Sequence, residues 1–306
     1  MTRKSSTIGF YIYNLAEEKC CYLLKNLKGY LATNDPVHVH QIRVTIRRLI
    51  ILLGFYRKEL PKKSYTIAKR RLRNSLKMFS GIRDLDNLID YLKTIKRTKQ
   101  VHDEDALVRL LKALKAKRTA PRRDIAYYSS LREIQKTVRS VQAMFKQAAL
   151  RDDRPLSVIP HLAIKCLDER FGDFARCGKL RYKKKQNRKL HTLRLSAKDL
   201  RYTLEIFEGY YKKDLKGSIA LLRSFQDTLG RVNDRAVWID MLSGIYKSSH
   251  TKATIREEYL YIKKQMDRER QKAYARYKSL IAKLKKQELR RSLRKVFKNA
   301  EYRDKE

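Results

Sequence analysis

Almost nothing in this chain interrupts a helix. Only 10 Gly and 5 Pro are spread over 306 residues, and hairpin dipeptides such as Asn-Gly or Asp-Gly are absent. Few runs of Val, Ile, Thr and Tyr alternate over strand length. Apolar residues instead recur at helical spacing between single breakers. With 42% of the chain apolar or aromatic, these helices have a core to bury, unlike a disordered basic tail. The expectation is an all-α protein.

The breakers predict the segments. One helix runs from Ile8 to Leu27 and stops near Gly29; the next opens at Asn34-Asp35-Pro36, an Asx residue before a first-turn proline, and reaches Leu60. A third covers Lys62 to Phe79 and ends at Gly81, and a fourth runs from Asp84 to Lys96. Asp105 to Lys117 and Ser129 to Leu150 follow. Pro155 and Pro160 then mark the best boundary in the sequence. Beyond it, helices are expected over His161 to Phe171, Gln186 to Tyr211, Leu215 to Leu229 and Asn233 to Tyr246. One or two long helices follow Gly244. The division is residues 1–150, a linker at 151–160, and residues 161–306, each half a helical bundle.

Lys and Arg number 74 against 32 Asp and Glu, a formal charge of +42. Self-repulsion at that density opposes compactness, and a polyanionic partner relieves it. No stretch has the roughly 18 consecutive apolar residues of a membrane span, and the opening residues lack the apolar middle of a secretory signal. A cytoplasmic protein with no membrane partner is expected. Cys20, Cys21, Cys166 and Cys177 fit neither a zinc spacing nor a disulfide framework and read as buried small apolar residues.

The two halves share a pattern. His40, Ile42, Arg43, Thr45, Arg47 and Leu49 recur as His191, Leu193, Arg194, Ser196, Lys198 and Leu200, at an offset of 151. Leu72-Arg73 matches Leu222-Arg223 at an offset of 150, and Arg83-Asp84 matches Asn233-Asp234. Landmarks at a nearly constant offset read as a duplicated unit whose copies face each other across a pseudo-twofold axis. The second copy departs from the basic pattern at Asp199, which stands where the first has Arg48, and a basic residue returns at Arg201.

Paired His-x-x-Arg-x-x-x-(Arg/Lys) helices followed by Arg-Asp and Asn-Asp resemble the CHAD domain, the conserved histidine α-helical domain, over roughly Ser5 to Tyr302. The resemblance implies two four-helix bundles related by internal symmetry. It also implies inorganic polyphosphate bound in a basic central channel, and association with polyphosphate granules.

The residues suit such a partner independently. Positions i, i+3 and i+7 share one helical stripe, so His40, Arg43 and Arg47 form a row about 10 Å long, and His191, Arg194, Lys198 and Arg201 one of about 15 Å. Arginine forks onto phosphate oxygens and lysine acts as a point charge. Arg48, Lys69, Arg73 and Arg223 extend the candidate set, Arg73 and Arg223 because they recur. The cluster Arg181, Lys183, Lys184, Lys185, Arg188 and Lys189 reads equally as path or as solvated loop. His40 and His191 are either titratable donors to an anion or histidines bonded to a neighbouring helix. Asp84 and Asp234 are read as helix caps or as holders of a motif arginine.

No Walker loop, dinucleotide fingerprint, zinc-helix motif or acidic cluster is present, so no catalytic site, metal or cofactor is assigned. The leading reading is a non-enzymatic polyphosphate-binding module. The alternatives are a nucleic-acid backbone binder and a phosphotransfer enzyme carrying phosphate on His40 or His191.

Overall fold

The computed structural model describes residues 7–120, 125–178, 187–211, 215–248, 252–283 and 286–303. Ten α-helices run through them: α1 Ile8–Thr33, α2 Pro36–Phe55, α3 Lys62–Arg97, α4 Glu104–Thr119, α5 Ile125–Ala149, α6 Ile159–Gly178, α7 Asn187–Tyr211, α8 Lys216–Ser248, α9 Lys252–Lys283 and α10 Lys286–Arg303. Among the described residues there is no β-strand, and no helix is long and apolar enough to cross a membrane.

Several helix starts follow from local chemistry. The Asp35 carboxylate accepts from the Val37 N–H at 2.7 Å, with Pro36 in the first turn of α2. Asp103 caps α4 in the same way through the Ala106 N–H at 3.0 Å. Thr7 caps α1, and Asn34 leaves that helix in the left-handed conformation, at φ 57°.

Two glycines expected to end helices do not. α3 passes through Gly81 and α8 through Gly230, making helices of 36 and 33 residues. A glycine inside a helix costs about 1 kcal/mol relative to alanine. Burial of Phe79 and Ile82 around the first, and of Leu229 and Val232 around the second, outweighs it. Asp84 and Asp234 therefore sit within helices and cap nothing. α1 likewise runs on through Gly29, against which the His38 ring packs: a Cβ there would lie 2.4 Å from its Cε1. Of the four cysteines, Cys20 is buried, Cys166 and Cys177 are half-buried, and Cys21 is exposed, contrary to the expectation for that residue; one helical position separates it from the buried face that Cys20 occupies.

Neighbour relations recur along the chain. α1 packs on α2 and α5, α2 on α3, and α3 on α4; α6 packs on α7 and α10, α7 on α8, and α8 on α9. Helices from the two sides of residues 151–160 also meet, α2 with α7, α3 with α8 and α4 with α9. The apolar side chains form two clusters, each drawing on both sides of residues 151–160. The larger takes in Ile12, Ile46, Phe79, Leu193, Phe207 and Phe297. The smaller joins the second half of α3 and α4 to the second half of α8 and the start of α9, through Leu92, Leu110, Leu242 and Ile262. Phe55 and Phe207 stack edge-to-face, ring centres 5.5 Å apart. This crossing brings the polar faces of α2, α3, α7 and α8 together.

Candidate functional site

Those four helices enclose a cavity of about 680 Å³, lined by nine Lys and Arg side chains and three Asp. The larger core fixes the wall: Ile42, Ile46 and Leu49 of α2, and Leu193, Ala197 and Leu200 of α7, are wholly buried. The intervening His40, Arg43 and Arg47, and Arg194, Lys198 and Arg201, are thereby aimed at the opening.

The cations are crowded and short of partners. Arg43 donates from Nε to the Ser80 hydroxyl at 3.1 Å. Burial pushes the guanidinium of Arg43 down from its ordinary value, with Asp84 working against that. Arg47 is pushed down by burial too, and Arg194 and Arg201 add to the effect. Arg194 reaches Asp234 at 3.5 Å, while its Nε is buried with no hydrogen-bond partner. The Lys198 amine is pushed down to about 6, by burial first and then by Arg194, Arg47 and Arg43. A lysine in that setting is an uncharged amine at neutral pH, ready to take a proton when an anion arrives.

Two lining arginines are engaged differently. Arg48 donates from Nε to Glu205 Oε2 at 2.8 Å, and Arg201 donates to Glu205 Oε1 at 2.6 Å and to Gln226 at 3.1 Å. Both guanidinium groups also lie over the Tyr202 ring, at 5.8 and 4.4 Å. One carboxylate thus holds two cations, one from α2 and one from α7.

Of the residues expected from sequence, His40, Arg43, Arg47, Arg48, Arg194, Lys198, Arg201 and Arg223 line the cavity. Lys69, Arg73 and His191 do not. Lys69 donates to the Tyr65 hydroxyl at 2.6 Å, Arg73 is exposed on α3, and exposed His191 pairs through Nδ1 with Asn233 Oδ1 at 3.0 Å. The His40 ring has no hydrogen bond among the described residues; burial, then Arg83, Arg43 and Lys198, pushes its imidazole down. Arg181 and Lys183 to Lys185 fall outside the described residues, as does the Arg188 side chain; Lys189 is exposed. Sequence reasoning did not select Arg83, Asn87, Gln226, Asp227 and Arg231, which also line the cavity. Their signal was the spacing on α3 and α8, obscured once each helix was divided at a glycine.

An all-α protein with an open, cation-lined cavity between paired helices is thus defined by its geometry. The CHAD domain profile matches residues 15–243, and the chain belongs to the CHAD domain family, which relates to polyphosphate binding in general. Solved structures share the fold. The CHAD domain from the plant Ricinus communis is 18% identical, covering 94% of this chain and 92% of its own, with a TM-score of 0.63. PptA from Streptomyces chartreusis is 14% identical, covering 90% of this chain and 99% of its own, with a TM-score of 0.64. No curated protein matches.

Proposed function

We propose that this chain binds inorganic polyphosphate in the cavity between α2, α3, α7 and α8 and does not turn it over. The observation that carries the reading is the convergence of Arg43, Arg47, Arg194 and Lys198 with too few carboxylates to neutralise them. Converging half-buried cations are costly unless an anion pairs with them, and a flexible phosphate string supplies many charges in a narrow cross-section. Family membership points the same way. On this reading the protein would associate with polyphosphate granules in the cytoplasm, as family membership suggests.

A nucleic-acid backbone offers the same charge, but single strands are held by stacking on exposed aromatic rings. Among the described residues lining the cavity the one Tyr, Trp or Phe is Tyr202, which is 4% exposed and covered by two guanidinium groups.

The test is a competition titration at about 0.15 M salt, where generic charge is partly screened. Long-chain polyphosphate is set against single- and double-stranded DNA and RNA. Preference for polyphosphate by about a hundredfold, or about 2.7 kcal/mol, at equal phosphate concentration is expected. Equal binding of all polyanions would return the nucleic-acid reading. Release of labelled phosphate from the bound chain would overturn the non-enzymatic part.

A further inference from the structure

The cavity accounts for little of the charge. Its lining carries a formal net charge of +6 of the chain's formal +42. The excess on α3 is distributed in a way that ordinary solvation does not explain. From Lys62 to Arg83 this helix carries eight Lys and Arg and no Asp or Glu, and acids begin only at Asp84. Exposed helix faces are usually laced with opposite charges at i+3 and i+4. On α3, by contrast, the ion pair across this stretch joins Arg71 to Glu133 of α5 at 3.6 Å, with both side chains about half exposed.

The bare cations also point the right way. At about 100° per residue, the cavity-lining Leu76, Arg83 and Asn87 fall within about 40° of one another around α3. Lys69, Lys62 and Arg73 lie about 40°, 60° and 80° from Arg83 in one sense around the helix, and the buried Tyr65, Leu72 and Phe79 at about 0°, 20° and 40° from it in the other, so the cations flank the buried stripe on the side of Leu76 and Asn87. The row from Arg83 back to Lys62 is about 32 Å long. At its outer end Tyr65 carries Lys69 and Arg57 over its ring at 5.1 and 5.4 Å, so a further cation from the turn after α2 joins it. On α8, the equivalent row outward from Arg223 reaches Lys216.

We infer that the first half of α3 is an external track for polyphosphate leaving the cavity, running through Arg73 and Lys69 to Lys62. The inference rests on the proposed polyphosphate function. It makes the protein selective for long chains, because a short one fills the cavity without reaching the track.

The experiment compares the unaltered chain with two variants that lose equal charge: Lys62→Gln, Lys69→Gln and Arg73→Gln on the track, and Arg109→Gln, Lys112→Gln and Lys115→Gln on α4, which does not line the cavity. Glutamine keeps the helix propensity. Affinities are measured for long-chain polyphosphate and for tripolyphosphate at about 0.15 M salt. The track variant is expected to lose about tenfold or more on the long chain and to bind tripolyphosphate as the unaltered protein does, and the α4 variant to stay within about threefold on both. Equal losses in the two variants would overturn the track and leave the cavity reading standing. Failure of the unaltered chain to bind either polyphosphate would overturn both.

Discussion

Arg48 of α2 and Glu205 of α7 join the two halves of the chain across the cavity wall, with Arg48 Nε and Nη2 each 2.8 Å from Glu205 Oε2. Arg201 takes the other oxygen. Glu205 is 10% exposed at its side chain, so the pair is poorly screened. Glu205→Gln frees two guanidinium groups for an incoming anion and leaves them without a counter-charge when none is bound. Polyphosphate affinity should rise severalfold while the free protein loses about 1–3 kcal/mol of stability. Titration together with thermal unfolding checks both, and a variant weaker in binding would mean that Glu205 orients the arginines for the ligand.

Lys198 couples binding to pH. Its amine, at about 6 in the free protein, is neutral at pH 7.5, and a bound polyanion favours the charged form. Binding near pH 7.5 should then take up about one proton, and affinity should fall as pH rises from 6 upward. The stability of the free protein runs the other way. The unfolded chain binds the proton up to the ordinary lysine value of 10.5, so between about 6 and that value folding gains from a rise in pH. Calorimetry in buffers of different ionisation enthalpy reads the proton directly. Lys198→Arg should bind without the uptake; an unchanged proton count in that variant would assign it to another group.

The two motif histidines have different surroundings. His40 faces Arg83, Arg43 and Lys198 at the cavity, while His191 is bonded to Asn233 outside its lining. His40→Gln should lower affinity for polyphosphate at pH 6, where the imidazole gains charge on binding, and should matter less at pH 8. His191→Gln should leave binding unchanged at both. Titrations of the two variants at the two pH values separate them, and equal effects would put the histidines in equivalent roles.

What was legible in the sequence was whatever one helix determines alone. The rows on α2 and α7 could be read because the apolar positions beside them fix which face turns inward, and a 3.6-residue period carries that information locally. The contribution of α3 and α8 was not legible in the same way. Whether Arg223 rather than Arg73 lines the cavity depends on how two long helices cross, and their continuity through Gly81 and Gly230 is a tertiary effect overriding local propensity. Glu205 was invisible because its partner Arg48 lies 157 residues away. The sequence left Asp84 and Asp234 as caps or as holders of a motif arginine, and it is the continuity of α3 and α8 that removes the caps.

Gly29 and Gly81, read alike as breakers, lie in different surroundings. At Gly81 nothing stands within 4 Å of a Cβ. Gly81→Ala should therefore stabilise the protein by about 1 kcal/mol, through helix propensity alone. At Gly29 a Cβ would meet the His38 ring at 2.4 and 2.5 Å, and that ring is tied to Asn26 Oδ1 at 3.1 Å. Gly29→Ala forces the ring off its partner, and overpacking of this kind costs about 1–3 kcal/mol. Combining Gly29→Ala with His38→Ala should recover part of that loss, since the smaller side chain vacates the contested space. Denaturant unfolding of the three variants decides it; a Gly29→Ala protein as stable as Gly81→Ala would show that the ring moves aside freely.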